Sequence, residues 1–179
     1  RRMIGDSQGV FRDVFCKNVG DDNRRTPQFG MYTGRTPYPG QKDINKDRRL
    51  AATFRKELID RPPEIKEKLI DIGKFPSKFD IDTYLEALNK GRHTTHMKDA
   101  ELITRMEMQK ECPDILITNY SMLEYMLIRP IEQSIWNDTR RWLRSSDDNR
   151  LTIIMDEAHM YRGSAGGEVS FLIRRLLNS

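Results

Sequence analysis

An α/β fold with a parallel sheet is predicted for this chain of 179 residues. Three observations carry the prediction. Two continuous apolar runs, ILIT at 115–118 and LTIIM at 151–155, lack polar alternation, so each suits a strand covered on both faces. Helical periodicity lies between and after them, giving strand, helix, helix, strand, loop, helix. Each run ends in polar residues, Thr118-Asn119 and Asp156-Glu157, and open parallel sheets place functional groups at strand carboxyl ends. The region from about 41 to 110 reads as helical, charged and without repeats, and the texture changes from 113.

Taken in order, Val10, Val14 and Phe15 have helical spacing, and GDDNRRTP at 20–27 reads as a loop. QFGMYTG at 28–34 suits a short strand. RTPYPG at 35–40 is a turn, because Pro37, Pro39 and Gly40 block regular structure, and Tyr38 between the prolines is expected to be exposed as a contact residue. Leu50, Ala51, Phe54 and Leu58 share one face of a helix over 43–60. Arg61-Pro62-Pro63-Glu64 breaks it, and a prolyl first turn starts another helix with Ile65 and Leu69 on its apolar side. A linker at 74–78 leads to a helix over 82–90 carrying Leu85 and Leu88 and ended by Gly91. A further helix spans 97–110 with Leu102, Ile103 and Met106 inward.

Beyond ILIT, Ser121 and Glu124 have capping-box spacing for a helix running to about 128, which Pro130 helps to end. Ile135, Trp136, Trp142 and Leu143 mark the next helix, and both tryptophans read as core in preference to base-stacking groups, while Met122 and Met126 read as core filler. SSDDNR at 145–150 is a solvent loop. After LTIIM, glycines 163, 166 and 167 flank a turn, and 168–177 is a helix with Val169, Leu172, Ile173 and Leu176 inward.

Composition bounds the function. Apolar residues are 37% and charged residues 32%, so the surface is heavily ionic or part of the chain belongs to something larger. The excess of 31 basic over 27 acidic residues, +4, is compatible with a polyanionic partner without demonstrating one. Cys16 and Cys112 read as two reduced thiols, in keeping with a cytoplasmic protein. No apolar run approaches a membrane span. The opening RRMIGDSQGVFRD lacks both an apolar leader and an initiator Met, so the chain is expected to begin inside a longer protein.

Asp156, Glu157 and His159 are the candidate chemical groups. A carboxylate at a strand end can hold Mg²⁺, which prefers oxygen ligands and stays partly hydrated beside phosphates, and an adjacent carboxylate can orient or deprotonate water. Asp156 is the candidate metal ligand and Glu157 the candidate base. His159 could hydrogen-bond across the site and report nucleotide state. Paired acids equally suit an ordinary helix N-terminus, where they meet free amides, and both readings stand on these residues alone. Neither HExxH nor a cysteine-rich set is present for zinc, and His93, His96 and Cys112 lack a fourth ligand. Arg140, Arg141, Arg144, Arg174 and Arg175 could meet phosphate but read as solvated helix edges, whereas Arg162 adjoins the acidic pair and is a candidate for either role.

LTIIMDEAHMYRG resembles motif II, the Walker B box, of superfamily 2 helicases and translocases. PDILITNYSMLEYMLIRP at 113–130 resembles the segment preceding that motif, where a strand leads to a polar turn on the nucleic-acid backbone. MYTGRTP at 31–37 resembles the Y-x-G-x-T-P stretch of the Lhr- and MrfA-like branch, as does AHMYRGSAGGEVSFLIRRL at 158–176. These segments, in this order, cover about half of the chain.

The resemblance implies a partial RecA-like domain, with an incomplete N-terminal part at 1–40, a helical insertion at 41–110, and core strands and helices including motif II at 111–179. It also implies a second such domain elsewhere in the polypeptide, with ATP and Mg²⁺ at their interface and movement along nucleic acid, DNA by expectation. Asp156 would engage Mg²⁺, Glu157 would activate water, and His159 would couple the ATP site to the strand-binding surface. Thr118, Asn119 and Ser121 would lie on the nucleic-acid side. Thr33, Gly34, Arg35 and Thr36 would lie along the backbone path, where hydroxyls, amides and a guanidinium suit phosphate.

The pattern departs from the family in two respects. No GxxxxGK[ST] loop is present, and GDSQG at 5–9 lacks the Lys and hydroxyl pair. About 80 residues separate the turn at 33–34 from the strand at 115, far more than compact members need. Region 41–110 is therefore read as an insertion beside the nucleic-acid channel or a docking surface for protein partners. Insertions of this kind occur in bacterial defence-system helicases. The expected activity is that of an ATP-dependent DNA helicase or translocase in the intact parent, with these 179 residues inactive alone. The alternative is a non-catalytic nucleic-acid or protein-binding module derived from such a motor.

Overall fold

The structure, a computed structural model, describes residues 26–38 and 40–178. The helix expected from Val10, Val14 and Phe15, the GDSQG stretch, Cys16 and most of the 20–27 loop lie outside the described residues. The chain divides into two compact units between Ile117 and Thr118.

In the first unit a short strand β1, Phe29–Tyr32, is central to a three-stranded parallel sheet of order β2-β1-β3. β2 is Glu101–Leu102, paired parallel with β1 in the register Phe29↔Glu101 and Gly30↔Leu102. β3 is Ile115–Thr118, and the Ile115 amide donates to the Gln28 carbonyl at 3.0 Å. Gly30 is required by a close approach: a Cβ there would stand 2.3 Å from Met108 Sδ. Phe29 and Ala100 are buried together with Ile115 against them, whereas Ile117 is exposed. The run 115–118 is thus a strand as predicted, but it is not covered on both faces.

Helices flank this sheet. α1, Ile44–Phe54, starts where the Asp43 carboxylate accepts from the Asn45 amide, and it runs on as a π-helical turn, Arg55–Ile59. α2, Pro63–Asp71, begins with proline in its first turn and buries no residue. α3, Ile81–Asn89, is capped by Asp80 and ended by Gly91, whose φ of 74° lies where a side chain would be strained. The apolar face predicted for α1 packs on α3: Ala51, Leu58, Tyr84, Leu85 and Leu88 are buried together, with Leu50 and Phe54 against them. Each leucine there contributes about 1.5–3 kcal/mol on full burial.

The helix expected over 97–110 is corrected. Residues 101–102 are β2, and only Arg105–Lys110, α4, is helical. Thr104 is extended at φ −107°, and its hydroxyl and the Glu107 carboxylate form a reciprocal capping box, so the helix cannot start earlier. The extended backbone before it is free to pair with β1. Leu102 and Ile103 are buried as expected, Met106 only partly, and Met108 completely. The sheet therefore takes one strand from within segment 41–110.

The linker at 74–78 ends in a buried cation. The Lys78 side chain is 0% exposed. Its ammonium donates to Asp99 at 3.0 Å and also to Glu107, and it lies 4.5 Å from the Tyr84 ring centroid. The Tyr84 hydroxyl and the Ile103 and Thr104 amides donate to the other Glu107 oxygen, at 2.9–3.0 Å. The Asp99 carboxylate accepts from the Phe79 and His96 amides. Every charge here has partners, as burial of ions requires.

The second unit is helical. α5 is Tyr120–Ile128, followed by a 3₁₀ turn at Pro130–Glu132, and α6 is Gln133–Ser145. α5 is capped by Asn119, whose side chain accepts from the Met122 amide at 2.9 Å, rather than by Ser121. Two side chains able to cap stood within three residues, and Asn119 is the one with extended backbone, φ −112°. Met126, Ile135 and Trp136 are buried, and the Trp136 indole donates to the Met126 carbonyl at 2.8 Å. Trp142 is instead exposed. α7, Ser164–Asn178, starts four residues before the predicted position and buries Val169 and Leu172.

LTIIM is not a strand. Residues 151–155 pair with no strand among the described residues, and Ile154 is 89% exposed. A continuous apolar run satisfies its backbone as a strand only with a ladder partner. No helix among the described residues is long and apolar enough to cross a membrane.

Candidate functional site

The predicted site residues fall into three local groups, one in the first unit and two in the second. The first is the turn after β1. The Thr36 hydroxyl donates to the Met31 carbonyl and accepts from the Thr33 amide at 2.8 Å. The Thr36 amide donates to the Thr33 carbonyl at 3.1 Å, and the Arg35 amide to the Thr33 hydroxyl at 3.2 Å. Thr36 is buried, so its hydroxyl builds the turn, while Gly34 and Arg35 stand exposed at its tip. Thr33 is half-buried. A small-residue turn presenting a guanidinium on a tightly bonded loop is suited to a phosphate backbone.

Tyr38, expected to be exposed, is buried. It occupies the left-handed region at φ 70°, its hydroxyl donates to the Asp43 carbonyl at 2.9 Å, and its ring meets His93 edge-on at 5.0 Å. Burial raises the phenol above its usual range, against the lowering effect of the Asp43 backbone bond. His93 Nε2 lies 2.8 Å from Asp47 Oδ1, both side chains being buried. His96 stacks on Phe79 at 4.7 Å. The two histidines thus serve different partners, and no group of three potential ligands gathers among the described residues.

The second group is the β3–α5 junction. Thr118 ends β3, Asn119 caps α5, and Ser121 is exposed on the first turn. The polar turn at a strand carboxyl end therefore stands where predicted. The neighbouring Tyr120 phenol is raised, first by desolvation and then by the charges of Glu124 and Glu168.

The third group is the acidic turn. Asp156, Glu157 and His159 do not follow a buried strand. They lie in an exposed turn leading into a 3₁₀ segment, Ala158–Met160. The Glu157 amide donates to Asp156 Oδ1 at 2.9 Å, and the Met160 amide to the Glu157 carbonyl at 2.8 Å. His159 Nδ1 is 3.3 Å from Glu157 Oε2, with side chains 64% and 68% exposed, so water screens the pair. Glu157 takes φ 50°, a left-handed conformation costing a residue with a Cβ about 1 kcal/mol. Arg162 Nε donates to the His159 carbonyl at 3.1 Å and helps close the turn.

As a metal test, Asp156 offers hard, accessible oxygens, one of them shared with an amide. That suits Mg²⁺ keeping most of its waters and taking further oxygens from phosphates, but it does not make an all-protein cage.

Sequence pattern does not single out Lys78, in a predicted linker, or Arg105, in a predicted helix. Neither carries a local signal, because each is defined by what it meets across the fold.

No family model and no solved structure matches the chain. The chain is homologous to part of Druantia protein DruE of Escherichia coli strain UMEA 4076-1. The two are 41% identical over 203 aligned positions, covering 98% of this chain. The chain spans about a tenth of the length of that relative.

Proposed function

We propose that this chain is part of the first motor domain of an ATP-dependent DNA helicase or translocase of superfamily 2, in a bacterial defence system. One observation carries the reading. Asp156, Glu157 and His159 share one accessible turn, with Glu157 held at positive φ and its carboxylate beside the imidazole. The order of the MYTGRTP, PDILITNYS and DEAH segments supports it. So does homology along almost the whole chain to a defence-associated protein about ten times as long, into which a second motor domain and a phosphate loop would fit.

In this reading Asp156 holds Mg²⁺, whose charge would stabilise the transferring phosphoryl group. Glu157 orients water and accepts its proton at a carboxylate oxygen, and His159 communicates with the nucleic-acid surface. The turn at 33–36 and the junction residues Thr118, Asn119 and Ser121 bind the backbone. The parent is cytoplasmic. Region 41–110 is its candidate surface for protein partners.

Glu157→Gln in the full-length protein is expected to abolish nucleic-acid-stimulated ATP hydrolysis while nucleotide binding persists. Retained turnover would sink the role of Glu157. A second reading, a non-catalytic binding module, is favoured by the absence of GxxxxGK[ST] from these 179 residues. Such a loop encoded upstream of Arg1 would exclude it.

A further inference from the structure

We infer that Arg105 is a positioning residue for the nucleic-acid turn at 33–36, contributed by the segment that the sequence assigns to the insertion. This rests on the proposed role of that turn.

The Arg105 side chain is buried, so it does not reach a ligand itself. Its Nη2 donates to the Thr33 carbonyl at 2.8 Å, and its backbone amide donates to the Pro37 carbonyl at 3.1 Å. The residue therefore holds both ends of the turn. Its guanidinium lies 5.1 Å from the Tyr32 ring centroid, directly preceding the turn. One helical turn later, Gln109 Nε2 donates to the Tyr32 hydroxyl at 2.9 Å. Between them Met108 fills the space left by Gly30.

One face of α4 thus grips the end of β1 and the turn together. α4 is itself anchored by Glu107, through the buried contacts to Lys78 and Tyr84. The exposed tip, Gly34 and Arg35, is carried on a base where a planar, always charged guanidinium holds the Thr33 carbonyl and the Arg105 backbone amide holds that of Pro37. A lysine can supply the charge but not the planar, multi-donor guanidinium.

The test uses the full-length protein and a fluorescein-labelled DNA single strand, with affinity measured across a salt series. Each lost phosphate contact lowers the slope of log affinity against log salt by about 0.9 for a duplex and 0.7 for a single strand. Arg35→Ala is expected to lower it by about that amount. Arg105→Met is expected to do the same while leaving every exposed charge in place, and the double variant should show little further loss. Amide exchange across 31–36 should quicken in Arg105→Met without DNA.

A slope lowered by Arg35→Ala but unmoved by Arg105→Met overturns the positioning role and leaves the binding role of the turn intact. No change with Arg35→Ala overturns the binding role, and the inference with it. If Arg105→Met does not fold, Arg105→Lys replaces it. Faster exchange at 31–36 with a lowered slope then supports the inference, and an unchanged slope overturns it.

Discussion

Lys78→Met is the sharpest test of how the first unit is held together. Methionine keeps the length and apolar stem of lysine but removes the ammonium from between Asp99 and Glu107. At the 3.0 Å separation from Asp99, with an effective dielectric near 20, one such pair is worth about 5 kcal/mol of attraction. Desolvation of each ion offsets several kcal/mol of this, so the pair need not stabilise the fold relative to an apolar substitute. Removing only the cation is different. Asp99 and Glu107 keep their amide and hydroxyl donors but stand as two buried negative charges without a counter-ion, which costs about 3–5 kcal/mol. Total stabilities are typically about 5–15 kcal/mol, so the loss should be plain. Urea unfolding followed by far-UV circular dichroism would measure it. Amide exchange at 77–80 and 101–110 would place it, because Phe79, Ile103 and Thr104 donate to these carboxylates. A loss below about 1 kcal/mol, the scale of an exposed ion pair, would refute the account.

Two further outcomes follow from the same geometry. Gly30→Ala would put a Cβ 2.3 Å from the Sδ and 2.9 Å from the Cγ of fully buried Met108, and overpacking of this kind costs about 1–3 kcal/mol. Denaturant midpoints should fall accordingly, and a companion Met108→Ala that restores nothing would count against steric cause. Burial first, and the Glu107 charge second, raise the Tyr84 phenol well above its ordinary 10.0. The unfolded phenol therefore loses its proton first. Stability is intact below pH 10 and declines above it, by up to about 1.4 kcal/mol per pH unit until the folded phenol also ionises. Tyr84→Phe should flatten this alkaline decline relative to the parent, and equal slopes for both proteins between pH 9 and 11 would exclude Tyr84 as its source.

Much of the local structure was legible because its causes are local. The apolar face of α1, the prolyl start of α2, the leucines of α3 and its glycine stop, and the strand at 115–118 are written in neighbouring residues. The acidic turn and the polar junction at 118–121 were likewise visible as residue types in order. What failed was whatever depends on a distant partner. β2 is two residues long and exists because β1, some seventy positions earlier, offers a free ladder edge. LTIIM has strand composition but pairs with no strand among the described residues, so composition alone could not make it one. Lys78 in a linker and Arg105 in a predicted helix became central only when folding brought Asp99, Glu107, Thr33 and Tyr32 around them.

The sequence by itself determined which residues can bear chemistry: two carboxylates and an imidazole in DEAH, and hydroxyls and a guanidinium in TGRTP. Side-chain chemistry belongs to the residue and survives any fold. Only the tertiary structure decided how those groups are presented. It buried Thr36 and Tyr38, left Arg35 at an exposed tip, and set Glu157 in a left-handed turn. It also put Arg105 beneath the turn it braces. Burial and hydrogen-bond partnership are properties of pairs remote in sequence, and no local pattern encodes them.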